Sequence, residues 1–150
     1  MSKRIYPLAA ALIFFVFSAS AQIREIPKEI RETFFNQYPK AENTEIKDQL
    51  LQVKIYFTME GDKYIATYNN KGDWKESEKE SSFEKLPETI KDGFNKSKFA
   101  GKEWKVTESK VIFLPDGDEQ CRIKVEKNDL QKKYLFFNKD GRLLRESITI

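Results

Sequence analysis

The chain of 150 residues contains no histidine and a single cysteine, Cys121. Without histidine there is no imidazole base and no Cys/His zinc site. One thiol cannot close an intramolecular disulfide, so packing alone must hold the fold together. No stretch reads as a phosphate-binding loop, a G-x-S-x-G elbow or an H-E-x-x-H metal motif. The 24 acidic residues stand in no recognisable catalytic pair, and most alternate with lysine on faces expected to be solvated. These absences argue against an enzyme. A long apolar run is missing as well. Leu8 to Phe17 is too short to span a bilayer as a permanent helix. With Lys3 and Arg4 before it and Ala19-Ser20-Ala21 leading to Gln22, it reads as an export signal over residues 1–21. Cys121 lies far from that signal, so no lipid-bearing cysteine would stand at the new N-terminus. Cleavage would remove two of the 27 basic residues and no acid, leaving 25 against 24. A nearly neutral mature chain lacks the concentrated basic face that nucleic acid requires. It would be periplasmic or secreted, with no stable membrane anchor after cleavage.

What the sequence does contain is a pattern written twice. Ile26, Ile30 and Phe34, with Pro27 among them, return 60 residues later as Leu86, Ile90 and Phe94 with Pro87. Four-residue spacing of apolar side chains is one stripe of an amphipathic helix, and each proline suits a first helical position. Neither proline follows a Ser, Thr, Asp or Asn, so tertiary packing must supply most of the helix stability. After each helix the period changes to two. Leu51, Val53, Ile55 and Phe57 alternate with polar residues, as do Cys121, Ile123 and Val125. Glu60-Gly61-Asp62, Asn69-Asn70-Lys71-Gly72 and Pro115-Asp116-Gly117-Asp118 are turns. Lys75 to Glu80, with alternating charge, reads as a solvated strand end and linker. Between the copies the offset grows from 60 at the helices to 69 at Gly72/Gly141, with the extra residues around Pro115–Asp118 and Asn128–Leu130. Insertions confined to turns are what a structural duplication should show.

The residues that carry this pattern are Ile26-Pro27 and Leu86-Pro87, Phe34-Phe35-Asn36-Gln37-Tyr38-Pro39, Tyr64-x-Ala66-x-Tyr68 and Gly72-x-Trp74. Together they resemble the PepSY-like family of exported bacterial proteins, whose repeats share the shape of the beta-lactamase inhibitor protein fold. The second copy departs from the pattern, with Lys98-Phe99 in place of Tyr-Pro and Leu143 in place of the tryptophan. The resemblance implies an α+β protein of two tandem repeats, residues 22–80 and 81–150. Each would be one helix packed on a four-stranded antiparallel sheet, the two forming one broad curved sheet with both helices on one face. Its motifs are structural and speak to fold, not activity.

Strand alternation then divides the side chains. Leu51, Val53, Ile55, Phe57, Cys121, Ile123 and Val125 should face the helices, joined by Tyr64, Ala66, Tyr68, Leu135 and Phe137. Cys121 in that register is a small core residue and not a reactive thiol. Asp116-Gly117-Asp118-Glu119 could be imagined as a calcium loop, but it lacks EF-hand spacing and reads as a polar turn. The opposite face should carry Tyr56, Arg122, Lys124, Tyr134 and Phe136, a mixture of aromatics and cations typical of protein contacts. Trp74 could lie on either face, since one step of register reverses it. The expectation is an exported, non-enzymatic module without cofactor or metal that binds a protein or peptide in the cell envelope through its open sheet face. Its sharpest version is an inhibitor or chaperone-like partner of an envelope or secreted enzyme. The alternative is a periplasmic small-ligand or envelope-stress sensor with a pocket between helix and sheet.

Overall fold

A computed structural model describes residues 26–148. The export signal expected over residues 1–21 lies outside them. Helix α1 spans Lys28–Gln37 and α2 spans Glu88–Asn95, each following the apolar stripe seen in the sequence. Ile30, Phe34, Ile90 and Phe94 are the buried residues of these helices. The prolines stand one position further out than expected. Pro27 and Pro87 are N-caps with extended ψ, and their carbonyls accept the first helical amides, from Ile30 and Arg31 and from Ile90 and Lys91. No side chain caps either N-terminus. Burial of the stripe therefore does the stabilising.

Eight strands follow in two groups of four: β1 Glu42–Gln49, β2 Gln52–Met59, β3 Asp62–Asn69 and β4 Trp74–Ser81 after α1, then β5 Lys105–Phe113, β6 Glu119–Asn128, β7 Gln131–Asn138 and β8 Leu143–Ile148 after α2. They form a single antiparallel sheet in sequence order. Its turns use the residues their geometry demands. Glu60 and Gly61 both have positive φ in the two-residue β2–β3 turn, and Gly117 does so between β5 and β6.

Two elements correct the sequence reading. The charged run Lys75–Glu80 is not a linker: it forms most of β4, an interior strand paired on both sides, with β3 and β5. Its Ser77 is closed to solvent and Glu78 is 8% exposed. Leu51 does not face the helices. It lies in the β1–β2 turn, 78% exposed, because β2 begins one residue later.

The core lies on one side of the sheet, in two clusters. Ile30 and Phe34 of α1 pack on Val53, Ile55, Phe57, Ala66 and Tyr68. Leu86, Ile90 and Phe94 pack on Cys121, Ile123, Val125, Leu135 and Phe137. The register joins Phe57, Tyr64, Lys79, Val111, Cys121 and Phe137 in one row across six strands. Residues paired in this way share a face, so both helices cover the same side. Between the clusters that side is polar along β4, where Ser77, Lys79 and Ser81 stand opposite Phe113, Val111 and Ser109 of β5. Trp74 belongs to the core side. A bulge between Thr67 and Tyr68 pairs Trp74 with Tyr68, and its ring packs against the first cluster.

Candidate functional site

The other side of the sheet has no described element over it. Its side chains nevertheless bury one another. Thr67, Glu78, Ile112 and Phe136 are all less than 9% exposed there. The charge around Glu76 on β4 includes Arg122 from β6, Lys54 from β2 and Arg145 from β8, whose long side chains lean in over the sheet. The helix-free face is thus an open one lined by its own long side chains.

At its centre sits a closed ionic knot. Glu78 accepts both terminal nitrogens of Arg122, Nη1 at 2.7 Å and Nη2 at 3.1 Å, and the Lys110 ammonium at 2.8 Å. Arg122 also reaches Glu108 at 3.4 Å and lies with its guanidinium carbon 4.9 Å from the centre of the Tyr134 ring. Three strands, β4, β5 and β6, supply the charges, and the ladder places Lys110 directly opposite Arg122. Burial alone would raise the Glu78 carboxyl, but the Lys110 hydrogen bond and the Arg122 charge outweigh it and hold the group below the usual carboxylate range. Its neighbour Glu76 lacks such bonds. Burial, reinforced by the Glu78 charge, pushes that carboxyl up.

Of the five residues expected on this face, Tyr56, Arg122, Lys124 and Tyr134 are there and half-buried. Tyr56 lies beneath the Lys47 ammonium at 4.6 Å, and Lys124 pairs with Glu126 at 2.9 Å. Phe136 is on the face but not on the surface. It is 6% exposed because the Arg145 guanidinium stacks on it, 3.4 Å from the ring centre. Register pairs Arg122, Phe136 and Arg145 across β6, β7 and β8, so three strands build the stack. The sequence reading passed over Arg145. Period two from core-side Leu143 would have put Arg145 among the core residues, but a bulge at Leu144 turns it to the other face.

The remaining candidates are structural. Cys121 is buried, and burial pushes its thiol up to about 11, away from the thiolate that reactivity needs. Asp116 accepts the Asp118 amide at 3.0 Å, the hydrogen bond of a turn. Among the described residues, no group of three or more His, Cys, Asp or Glu side chains could hold a metal ion. No described helix is long and apolar enough to cross a membrane. On the helix side, an open groove at the β4–β5 seam is lined by Asp62, Lys79, Lys85, Val111 and Phe113.

No family model matches this chain, and no curated protein matches it significantly. Solved structures do. A DUF2874 family protein from Bacteroides ovatus is similar with a TM-score of 0.74 and 24% identity, over 81% of this chain and 86% of that one. A BLIP-like protein from Bacteroides fragilis gives 0.73 and 20% over 82% and 86%. A protein from Bacteroides eggerthii with a provisional periplasmic designation gives 0.70 and 18% over 81% and 88%. At these identities the likeness concerns the fold alone: two helices on one open, eight-stranded antiparallel sheet, arranged as in the BLIP-like protein.

Proposed function

We propose that this chain is an exported, non-catalytic binding module that takes a protein or peptide of the cell envelope onto the open, helix-free face of its sheet. It is built of two tandem PepSY-like repeats, residues 22–80 and 81–150, fused through the β4–β5 ladder. The observation that carries the reading is the face itself: open, uncovered by any described element, and furnished with half-buried tyrosines and arginine. Aromatic and arginine side chains are the groups that concentrate binding energy at protein interfaces. Inhibition or chaperoning of an envelope or secreted enzyme is the sharpest form of the idea, supported by the fold shared with the BLIP-like protein. Periplasmic or secreted localisation rests on the signal-like residues 1–21 and on the designation of one structural neighbour.

Residues 22–150 bearing both Tyr56→Ala and Tyr134→Ala test the reading. Both rings are half-buried and outside the two core clusters, so the melting temperature should move by no more than a few degrees. Capture of the envelope protein that the unaltered chain retains should be lost. Undiminished capture would remove the face from the mechanism. The helix-side groove at the seam favours a second reading, a small-ligand sensor, which would release a small molecule on denaturation, detectable by mass spectrometry.

A further inference from the structure

Among the described residues, the helix-free face has one cation that is both fixed in position and unspent. Arg122 is committed to Glu78 and Glu108, Lys110 to Glu78, Lys124 and Lys132 to Glu126, and Lys47 to Glu45. Lys54, Lys63 and Arg145 have no ion-pair partner among the described residues, and of the three only Arg145 is held: its guanidinium lies 3.4 Å from the centre of the Phe136 ring. That ring is 6% exposed on a strand anchored by Leu135 and Phe137 in the core, so the platform is rigid. Stacking occupies one flat side of a guanidinium and leaves its in-plane N–H edges free, the geometry that receives a carboxylate through two parallel hydrogen bonds.

Resting on the reading of this face as a partner site, we infer that Arg145 is its receptor for a partner carboxylate, and that the segment bound is an acidic one. The other charges on the face agree. Glu78, Glu108 and Glu126 are each paired with a cation within the chain. Glu76 is half-buried and already lies in the fields of Arg122, Lys54 and Arg145. Unpaired Glu42 opens β1 and unpaired Glu80 is the next-to-last residue of β4, both at the periphery. β8 is an edge strand, so a segment can come alongside Arg145 without displacing any part of the described sheet.

Selection of phage-displayed random dodecapeptides on residues 22–150 tests this with a defined probe. Enriched peptides should carry Asp or Glu, lose roughly tenfold or more in affinity against Arg145→Ala, and recover only part of it with Arg145→Lys, which keeps the charge but not the fork. Selection on Arg145→Glu should enrich basic peptides instead. Peptides that need Tyr134 but are rich in no acid, or that bind Arg145→Ala as well as the unaltered chain, would overturn the inference and leave the face as a binding site. Peptides indifferent to Arg145, Tyr56 and Tyr134 alike, or no enrichment at all, would overturn the inference together with the reading beneath it. Because Arg145 is exposed, unchanged melting of the Lys variant keeps the comparison valid even if loss of the stack loosens the Ala variant.

Discussion

Ser77 accepts the Tyr38 phenol at 2.7 Å and the Trp74 indole N–H at 2.9 Å from a position fully closed to solvent. The hydroxyl thus satisfies two aromatic donors that fold over the first core cluster. Ser77→Ala should cost about 1 to 3 kcal/mol in urea unfolding, since it orphans both; a surface-like loss would mean that water replaces the hydroxyl. The two acids on either side of the ionic knot make opposite predictions with pH. Glu78 is held below its ordinary range, so it stabilises the fold fully above its unfolded value, about 4.3, and that contribution fades as pH falls through the lower folded value. Glu76 is raised, so it binds its proton more tightly when folded. Its contribution is present below the unfolded value and is withdrawn as pH rises through the folded one. At pH 7, therefore, Glu78→Gln should destabilise and Glu76→Gln should stabilise, and both differences should shrink towards pH 3. A destabilising Glu76→Gln at neutral pH would contradict the burial assigned to it. Sequence reasoning could not separate these acids, because what distinguishes them is Lys110 and Arg122, more than thirty residues away. The same limit applied to Phe136, whose cover comes from another strand.

At the scale of elements, α2 and the β7–β8 turn meet through two glycines. A Cβ on Gly93 would stand 1.9 Å from the Gly141 carbonyl oxygen, and one on Gly141 would stand 2.0 Å from the Thr89 carbonyl oxygen. Thr89 Oγ1 ties the same turn to the helix by donating to the Lys139 carbonyl at 2.9 Å. Gly93→Ala, a change that ordinarily favours a helix by up to about 1 kcal/mol, should here destabilise, with a lower melting temperature as the readout. A stabilised variant would show that the backbones are further apart. In the first half the contact is looser, since a Cβ on Gly72 would meet Glu29 and Ile30 at ordinary contact distances, 3.6 Å and beyond. The helices and β2 were legible because their buried residues are apolar and recur at the periods of their elements. β4 was not. Its sequence is Trp-Lys-Glu-Ser-Glu-Lys-Glu-Ser, and its buried groups are a serine and a glutamate whose partners, Trp74 apart, lie far along the chain. β1 was equally silent, since only Ile46 of its eight residues is even partly covered.

For the whole molecule, the two core clusters share no residue and are separated by the polar seam of Ser77, Lys79 and Ser81. Phe34→Ala and Phe94→Ala should each cost about 3 to 5 kcal/mol as buried aromatics. Because the sites have no common neighbours, the double variant should equal their sum within about 0.5 kcal/mol while unfolding remains one transition. A separate unfolding step for each half would instead mark the β4–β5 ladder as too weak to couple them. The broad architecture was legible in the duplicated pattern. The packing of the free face was not, because it comes from arginine and glutamate side chains meeting across several strands.

Every ladder in the sheet joins strands that are neighbours along the chain. No strand is threaded between two others that formed before it. A polypeptide delivered N-terminus first can therefore close each hairpin as soon as its second strand arrives, leaving a single growing edge at any moment. The last described strand to arrive is β8, the one that carries Arg145. The helix-free face acquires its free guanidinium only once β8 has joined, so a product truncated before Leu143 would fold most of the sheet and still offer an acidic segment nothing to hold.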